Sequence, residues 1–401
     1  MKNIRIFGNE EKYLKDVLKN QFRSSKNGYM VKKFENKFAK IFNTKYAIAF
    51  TNGTSTMHAC LEAIGVGIGD EVIVPPLTMA STTLAVLHCN ATPVFADVDI
   101  ETFQIDPLSI EKKITKKTKA IITVSLYGLS PDITKILEIA NKFNIKIIED
   151  NAECFLGYYK KKIIGNLGHM SSYSLQGTKH ISCGEGGVVT TNNKKIAKNI
   201  RLAQSLGYST LDAKKNKIPK ELLGSPNFNR HVALGWNYRM SDLCAAVALG
   251  QLENLKTFVK LRIDCAKLYN QVSKNYKWFV TQKIKRDYKH SYWTWAAYIK
   301  NNKIKWLNFK KKFISFGGTA IYGCWKLTYK ESFFIKNNFN KRQKLISQKN
   351  LKNYKLNNLC PNAEYLQPRL FQFKTNFYNL NEAKKESLAL KKTLDYFDKL
   401  I

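Results

Sequence analysis

No apolar run in this chain approaches the roughly 18 to 20 residues that a membrane span needs, and the stretch from Met1 to Glu11 has no apolar signal core. A cytoplasmic protein that does not cross a membrane is therefore expected. The eight cysteines (60, 89, 154, 183, 244, 265, 324 and 360) are scattered, without a Cys-x-x-Cys pair and with mostly apolar neighbours. That spacing indicates neither a zinc site nor a disulfide framework, and buried free thiols are the expectation. Acid is scarce, with 30 Asp and Glu against 66 Lys and Arg and a net charge of +36. Such an excess would attract a polyanion. Its distribution argues otherwise, because lysine is spread from Lys112-Lys113 and Lys116-Lys117 to Lys303 and Lys310-Lys311-Lys312, with no basic arm or nucleic-acid motif. No low-complexity tail or internal repeat stands out.

The 401 residues suffice for two domains, and 44% apolar with 24% charged residues is an ordinary globular balance. From residue 45 to about 200, short β-rich runs alternate with helical segments, which predicts an α/β domain with a largely parallel sheet. The strand candidates are Tyr46 to Phe50, Glu71 to Val74, Pro93 to Ala96, Ala120 to Val124 and Ile145 to Glu149. Between the first two, Met57, Cys60, Leu61 and Ile64 share one helical face, closed by Gly65. Ligand groups should collect at the carboxyl ends of these strands. Leu211 to Pro219 reads as a polar surface loop, and a long helix is expected from Ser241-Asp242, with Cys244, Val247, Ala248, Gln251 and Leu252 on a mixed face. Residues 1–261 are expected to form the large domain and 262–401 a smaller one. The smaller domain carries the aromatic clusters Tyr292 to Tyr298 and Ile321 to Tyr329, read chiefly as core and interface.

Three segments have the properties that a phosphorylated aldehyde cofactor requires. Asn52-Gly53-Thr54-Ser55 follows a strand and opens a helix, where backbone amides and the helix dipole favour a phosphate; a plain capped helix would look the same. Asp150 ends an apolar strand, where a carboxylate could keep a pyridine nitrogen protonated or could merely cap a helix. Lys179 stands in Ser174-Leu-Gln-Gly-Thr-Lys179-His-Ile-Ser-Cys-Gly-Glu-Gly-Gly187, a small-residue turn around one amine that can form an imine, with Ser174 placed to donate to a phosphate. A lone loop lysine is more often simply solvated.

Taken in order, Asn52-Gly-Thr, Gly69-Asp-Glu-Val-Ile-Val-Pro, Ala91-Thr-Pro-Val-Phe-Ala-Asp, Leu126-Tyr-Gly, Glu149-Asp150, Lys179, Gly184-Glu-Gly-Gly187 and Gly235-Trp-Asn237-Tyr-Arg239-Met resemble the DegT/StrS nucleotide-sugar aminotransferases. These are fold-type I enzymes dependent on pyridoxal 5′-phosphate (PLP) and active in polysaccharide biosynthesis. The resemblance implies a mostly parallel central sheet flanked by helices plus a smaller C-terminal α+β domain. It also implies a homodimer with shared active sites, glutamate as amino donor and a nucleotide-linked ketosugar as acceptor. Lys179 would hold PLP as a Schiff base and shuttle protons, and Asp150 would partner the pyridine nitrogen. Gly53, Thr54, Ser55 and Ser174 would cradle the phosphate, with Asn237 reaching it from the neighbouring subunit. Glu153 stands where the family usually has glutamine or histidine near the ring hydroxyl, Met79 where an aromatic usually stacks on the ring, and Ser125 where histidine is frequent. Related sugar 3-dehydratases carry histidine in place of Lys179; here His180 is only its neighbour. Outside this reading stand a same-fold enzyme acting on another ketone such as a cyclitol, and a PLP-binding regulatory or nucleic-acid-binding protein.

Overall fold

The computed structural model describes residues 8–20, 29–209, 221, 224–319, 321–336 and 358–401. The start of the chain and the expected loop from Leu211 to Pro219 lie outside the described residues. A seven-stranded sheet runs in the order Tyr46–Phe50, Gly187–Thr191, Met170–Ser174, Lys146–Asp150, Thr118–Val124, Glu71–Val74 and Thr92–Phe95. The last five of these pair in parallel, while Gly187–Thr191 is antiparallel to both of its neighbours. This is the mostly parallel α/β sheet that the alternation predicts. Its strands are buried along most of their length because both faces are covered, and the polar residues among them, such as Ser172, Ser174, Glu149 and Asp150, lie in the interior.

Two expected strands are shifted by one residue, Pro93 to Ala96 lying at Thr92–Phe95 and Ile145 to Glu149 at Lys146–Asp150, and Ala120 to Val124 extends back to Thr118. The second shift matters because it puts Asp150 inside the strand. Successive strand side chains point to opposite faces. Glu149 accordingly turns to one side, where it accepts from the amides of Gly165, Leu167 and Gly168 and from the Ser171 hydroxyl. Asp150 turns to the other, toward Thr82.

The helix Gly53–Ala63 begins where Asn52 Oδ1 accepts the Ser55 amide at 2.8 Å and ends before Gly65, whose φ of +75° favours glycine. Met57, Cys60 and Leu61 are buried as predicted, with Ile64 half-buried at its end. Ser241 caps the next predicted helix by accepting the Cys244 amide. That helix is not continuous: Asp242–Glu253 stops at Asn254 and Leu255–Ser273 follows. Its buried face is Ala245, Ala248, Leu249 and Leu252, whereas Cys244 and Val247 are half-buried. Residue 262 lies within the second helix, which serves two cores. Leu255 and Val259 pack with Phe34, Phe38 and Tyr173, while Ala266 and Tyr269 pack with Trp295, Phe309 and Phe373. Beyond it comes an antiparallel sheet in the order Phe279–Thr281, Thr294–Ile299, Leu370–Lys374 and Ile321–Gly323, backed by Leu380–Asp398. Among the described residues, no helix is long and apolar enough to cross a membrane.

Candidate active site

The carboxyl ends of four strands meet in register: Val124 faces Asp150, Asp150 faces Ser172, and Ser174 and Phe50 both face Gly187. Gly53 follows the strand that ends at Phe50. A Cβ built on it would lie 2.9 Å from Ser174 Cβ and 3.3 Å from Ser174 Oγ, so only glycine lets the helix start sit this close to that strand end. Gly187 has the same need, since an added Cβ would meet the Asn52 carbonyl at 2.5 Å. The Asn52 side chain takes up the amide of Ser55, and the Ser55 hydroxyl donates to the Asn52 carbonyl. The amides of Gly53 and Thr54, the first two of the helix, have no intrahelical partner, and Gly53 lies against the Ser174 side chain. Ser55 beside them has both its amide and its hydroxyl engaged by the cap.

Asp150 is buried, accepts from the Thr82 hydroxyl at 3.2 Å and the Ala152 amide at 3.1 Å, and is pushed above its ordinary carboxyl range by burial. The Ala152 amide, the Lys179 charge and Thr82 oppose that rise. Glu153 is also buried and raised, again chiefly by burial. It accepts the Tyr127 amide at 2.9 Å, and Lys179 Nζ lies 3.4 Å from its other oxygen. Tyr127 has a φ of 65°, an unusual state for a buried aromatic residue, and that backbone turn aims its amide at Glu153.

Lys179 is half-buried, its side chain 13% exposed, with Nζ also 4.3 Å from the centre of the Trp293 ring. Arg262 clamps the turn by donating to the Thr178 and Lys179 carbonyls, and Trp293 Nε1 donates to the Thr178 carbonyl at 3.0 Å. His180 points the other way, into the core, with Nε2 3.0 Å from the Ser291 carbonyl; burial holds it well below the usual imidazole range.

Among the sequence candidates, Gly53, Thr54, Ser55, Ser174, Asp150, Glu153 and Lys179 thus gather at one end of the sheet. Met79 lies on the turn that leads to Thr82 and is 51% exposed in the single chain. Ser125 is buried and donates to Asn151 Oδ1. Asn237 is exposed beside Ser205, and among the described residues no hydrogen bond joins it to the other candidates. Sequence reasoning gave no role to Thr82, Arg262 or Trp293, and it read Tyr127 only as part of the Leu126-Tyr-Gly motif. Trp293 carried a signal as a member of an aromatic cluster whose other rings, Tyr292, Trp295 and Tyr298, are buried.

All eight cysteines are free thiols, Cys183 and Cys244 half-buried and the rest buried. His58, Glu62 and Cys89 bring ligand atoms within 4.8 Å of one another. His58 Nδ1 lies 3.0 Å from Tyr238 Oη, while its buried Nε2 is 3.2 Å from Glu62 Oε1 without making a hydrogen bond.

The DegT/DnrJ/EryC1/StrS aminotransferase family model matches residues 5–348. GDP-perosamine synthase of Escherichia coli O157:H7 is 39% identical over 289 residues, covering 72% of this chain and 74% of that protein. The structure of an aminotransferase from Psychrobacter cryohalolentis superposes with a TM-score of 0.84 at 26% identity, over 97% of each chain. An E. coli GDP-4-keto-6-deoxy-D-mannose-3-dehydratase with bound hydrated PLP gives 0.79 at 25% identity, over 96% of each chain.

Proposed function

Because the chain belongs to the DegT/DnrJ/EryC1/StrS aminotransferase family, whose enzymes use PLP, we propose that it moves an amino group from glutamate onto a keto carbon of a nucleotide-linked deoxysugar. The observation that carries this reading is the half-buried Lys179 amine, set against two buried carboxyl groups at the mouth of a glycine-lined cradle. The donor set suits PLP. The amides of Gly53 and Thr54 and the Ser174 hydroxyl would hold its phosphate, Asp150 its pyridine nitrogen and Lys179 its aldehyde carbon. Bound there, PLP supplies an electron sink for charge that develops at Cα of the amino donor.

The chain's own part is proton handling. Lys179 Nζ would take the proton from Cα of glutamate in one half of the cycle and return one to the sugar carbon in the other. The Asp150 carboxylate would keep the ring nitrogen protonated, which is the condition for charge withdrawal. Glu153, held by the Tyr127 amide, would face the ring hydroxyl, and Met79 would lie against the ring through sulfur–arene contact worth about 0.3 to 1.5 kcal/mol. The presence of an amine rather than an imidazole at position 179 favours amination over dehydration. The GDP-linked deoxysugars named for the two E. coli proteins suggest a GDP-linked 4-keto-6-deoxyhexose as acceptor. A division near residue 262 into large and small domains, and a place in the cytoplasm where nucleotide sugars are made, belong to the same proposal.

The test is two-stage. Glutamate should convert the cofactor to its amine form, read by absorbance, and GDP-4-keto-6-deoxymannose should reverse that change with a GDP-linked aminosugar detected by mass spectrometry. Reversal by a cyclitol ketone but not by the nucleotide sugar, or loss of water without gain of nitrogen, would refute the acceptor assignment.

Asn237 enters through a second subunit. We place it at the phosphate of the partner's site, because a dianion takes more donors than two amides and a hydroxyl, and charge-assisted hydrogen bonds contribute roughly 1.5 to 3 kcal/mol each. Its exposure in the single chain, on a segment that also exposes Val232 and Leu234, supports a covered role. Mixing Lys179→Ala subunits with Asn237→Trp subunits should return about half of the wild-type activity per heterodimer, since one site carries both lesions and the other neither. No recovery despite demonstrated subunit exchange would put Asn237 in its own subunit's site or outside both.

A further inference from the structure

Most rings of the two C-terminal aromatic clusters are buried: Tyr292, Trp295, Tyr298 and Tyr329 belong to the core. Trp293 and Trp325 differ. Each is half-buried, they come from separate segments, and their rings stack at 5.8 Å between centroids with 24° between planes. Trp293 is fixed from behind, and Trp325 stands in an anchored segment. Trp293 donates to the Thr178 carbonyl at 3.0 Å, and its own carbonyl accepts from Arg262 at 2.7 Å and Thr375 at 2.9 Å. Trp325 lies between Cys324, which accepts from the Tyr127 hydroxyl at 3.3 Å, and Thr328, whose amide donates to the Pro76 carbonyl at 3.3 Å.

Rigid indoles at a site mouth are costly to leave half-wet unless something covers them. We propose that Trp293 and Trp325 form the platform on which the sugar ring of the substrate stacks, an inference that rests on the nucleotide-sugar reading above. The Lys179 amine is 4.3 Å from the Trp293 ring centre, so a hexose lying against this pair sits beside the nitrogen that must reach its keto carbon. A 6-deoxyhexose suits such a surface, because its methyl group and ring C–H bonds present an apolar face to the electron-rich π clouds while its hydroxyls stay free for polar partners. Glutamate, short and twice charged, gains nothing comparable. The platform therefore acts on one half of the cycle and selects for the acceptor. Preorganisation by the Thr178, Arg262 and Thr375 bonds means that little side-chain freedom is lost when the sugar docks.

The competing role is that Trp293 merely holds the lysine by cation–π attraction. The two separate in the holoenzyme when each half-reaction is followed alone. In Trp325→Leu, kcat/KM for GDP-4-keto-6-deoxymannose should fall about tenfold further than the rate of cofactor amination by glutamate, with Trp325→Phe restoring most of the loss. Equilibrium binding gives a readout without turnover: the variant's affinity for GDP-perosamine should drop toward its affinity for GDP, while GDP itself binds as in wild type. Equal losses in both half-reactions would assign the pair to the lysine, and an equal loss for GDP would assign it to the nucleotide; either overturns the platform. A wild-type enzyme that answers glutamate but neither aminates the sugar nucleotide nor binds GDP-perosamine would instead overturn the acceptor reading on which the platform rests.

Discussion

Lys179→Ala should abolish transamination in both directions, and borohydride reduction of the wild type followed by peptide mapping should find the cofactor on Lys179. The expectation comes from geometry: among the residues gathered at this end of the sheet, Lys179 offers the one primary amine, half-buried beside Glu153 and Trp293. Loss of the proton-transfer group alone removes roughly 10²- to 10⁴-fold, and loss of the covalent anchor adds to it. Alanine also leaves the buried Glu153 without its nearest cation. Lys179→Arg is therefore the companion variant, since it keeps a charge there but cannot bond reversibly to an aldehyde. Both should be inactive, with far-ultraviolet circular dichroism unchanged. A label on another lysine, or near-normal turnover by either variant, would remove Lys179 from the centre of the reaction.

Much of this arrangement could be read from the chain because its signals are local. Asn52 before Gly53 announces a capped helix, a requirement met within three residues, and the glycines at 184, 186 and 187 announce a turn after Lys179, although the contact that demands glycine at 187 is with the distant Asn52 carbonyl. The apolar run before Asp150 marks a strand buried on both faces, but only pairing fixes its ends, which is why the strand was expected one residue early and Asp150 lies within it. What stayed hidden is non-local. Thr82 reaches Asp150 across 68 residues and Arg262 holds the Lys179 carbonyl across 83, and no spacing rule joins such pairs. The break at Asn254 was likewise invisible, because Asp242–Glu253 and Leu255–Ser273 together read as one helical pattern, and the second half turns to pack on the C-terminal helix. Trp293 shows the limit of composition: it sits among core aromatics in sequence, but it precedes the strand Thr294–Ile299 and stays half-buried, whereas Trp295 lies within that strand and is buried.

Asp150→Asn should leave the fold and much of the cofactor affinity in place while lowering turnover by orders of magnitude. With the asparagine oxygen toward the Ala152 amide, its NH2 group can donate to the Thr82 hydroxyl, which can accept as well as donate, so the local structure has no reason to collapse. The ring nitrogen, however, would lose the carboxylate that keeps it protonated, and every pKa unit it falls costs about 1.4 kcal/mol of the charge stabilisation that carries the reaction. The same residue makes a second, independent expectation in the cofactor-free protein. Burial raises the Asp150 carboxyl above its ordinary value of 3.8, so the folded chain holds that proton to higher pH than the unfolded chain does. Unfolding then releases a proton, and stability falls as pH rises from the ordinary value to the raised one, with no further change above it. Asparagine removes this dependence. Urea unfolding of the two cofactor-free proteins across the acid range should therefore show wild type losing stability relative to the variant as pH increases, and PLP should reverse the deficit at neutral pH by adding a cation against the buried carboxylate, whose burial the Lys179 charge offsets only in part. Parallel stability profiles with and without the carboxyl, together with near-normal turnover on glutamate, would place the electron-withdrawing contact on some residue other than Asp150.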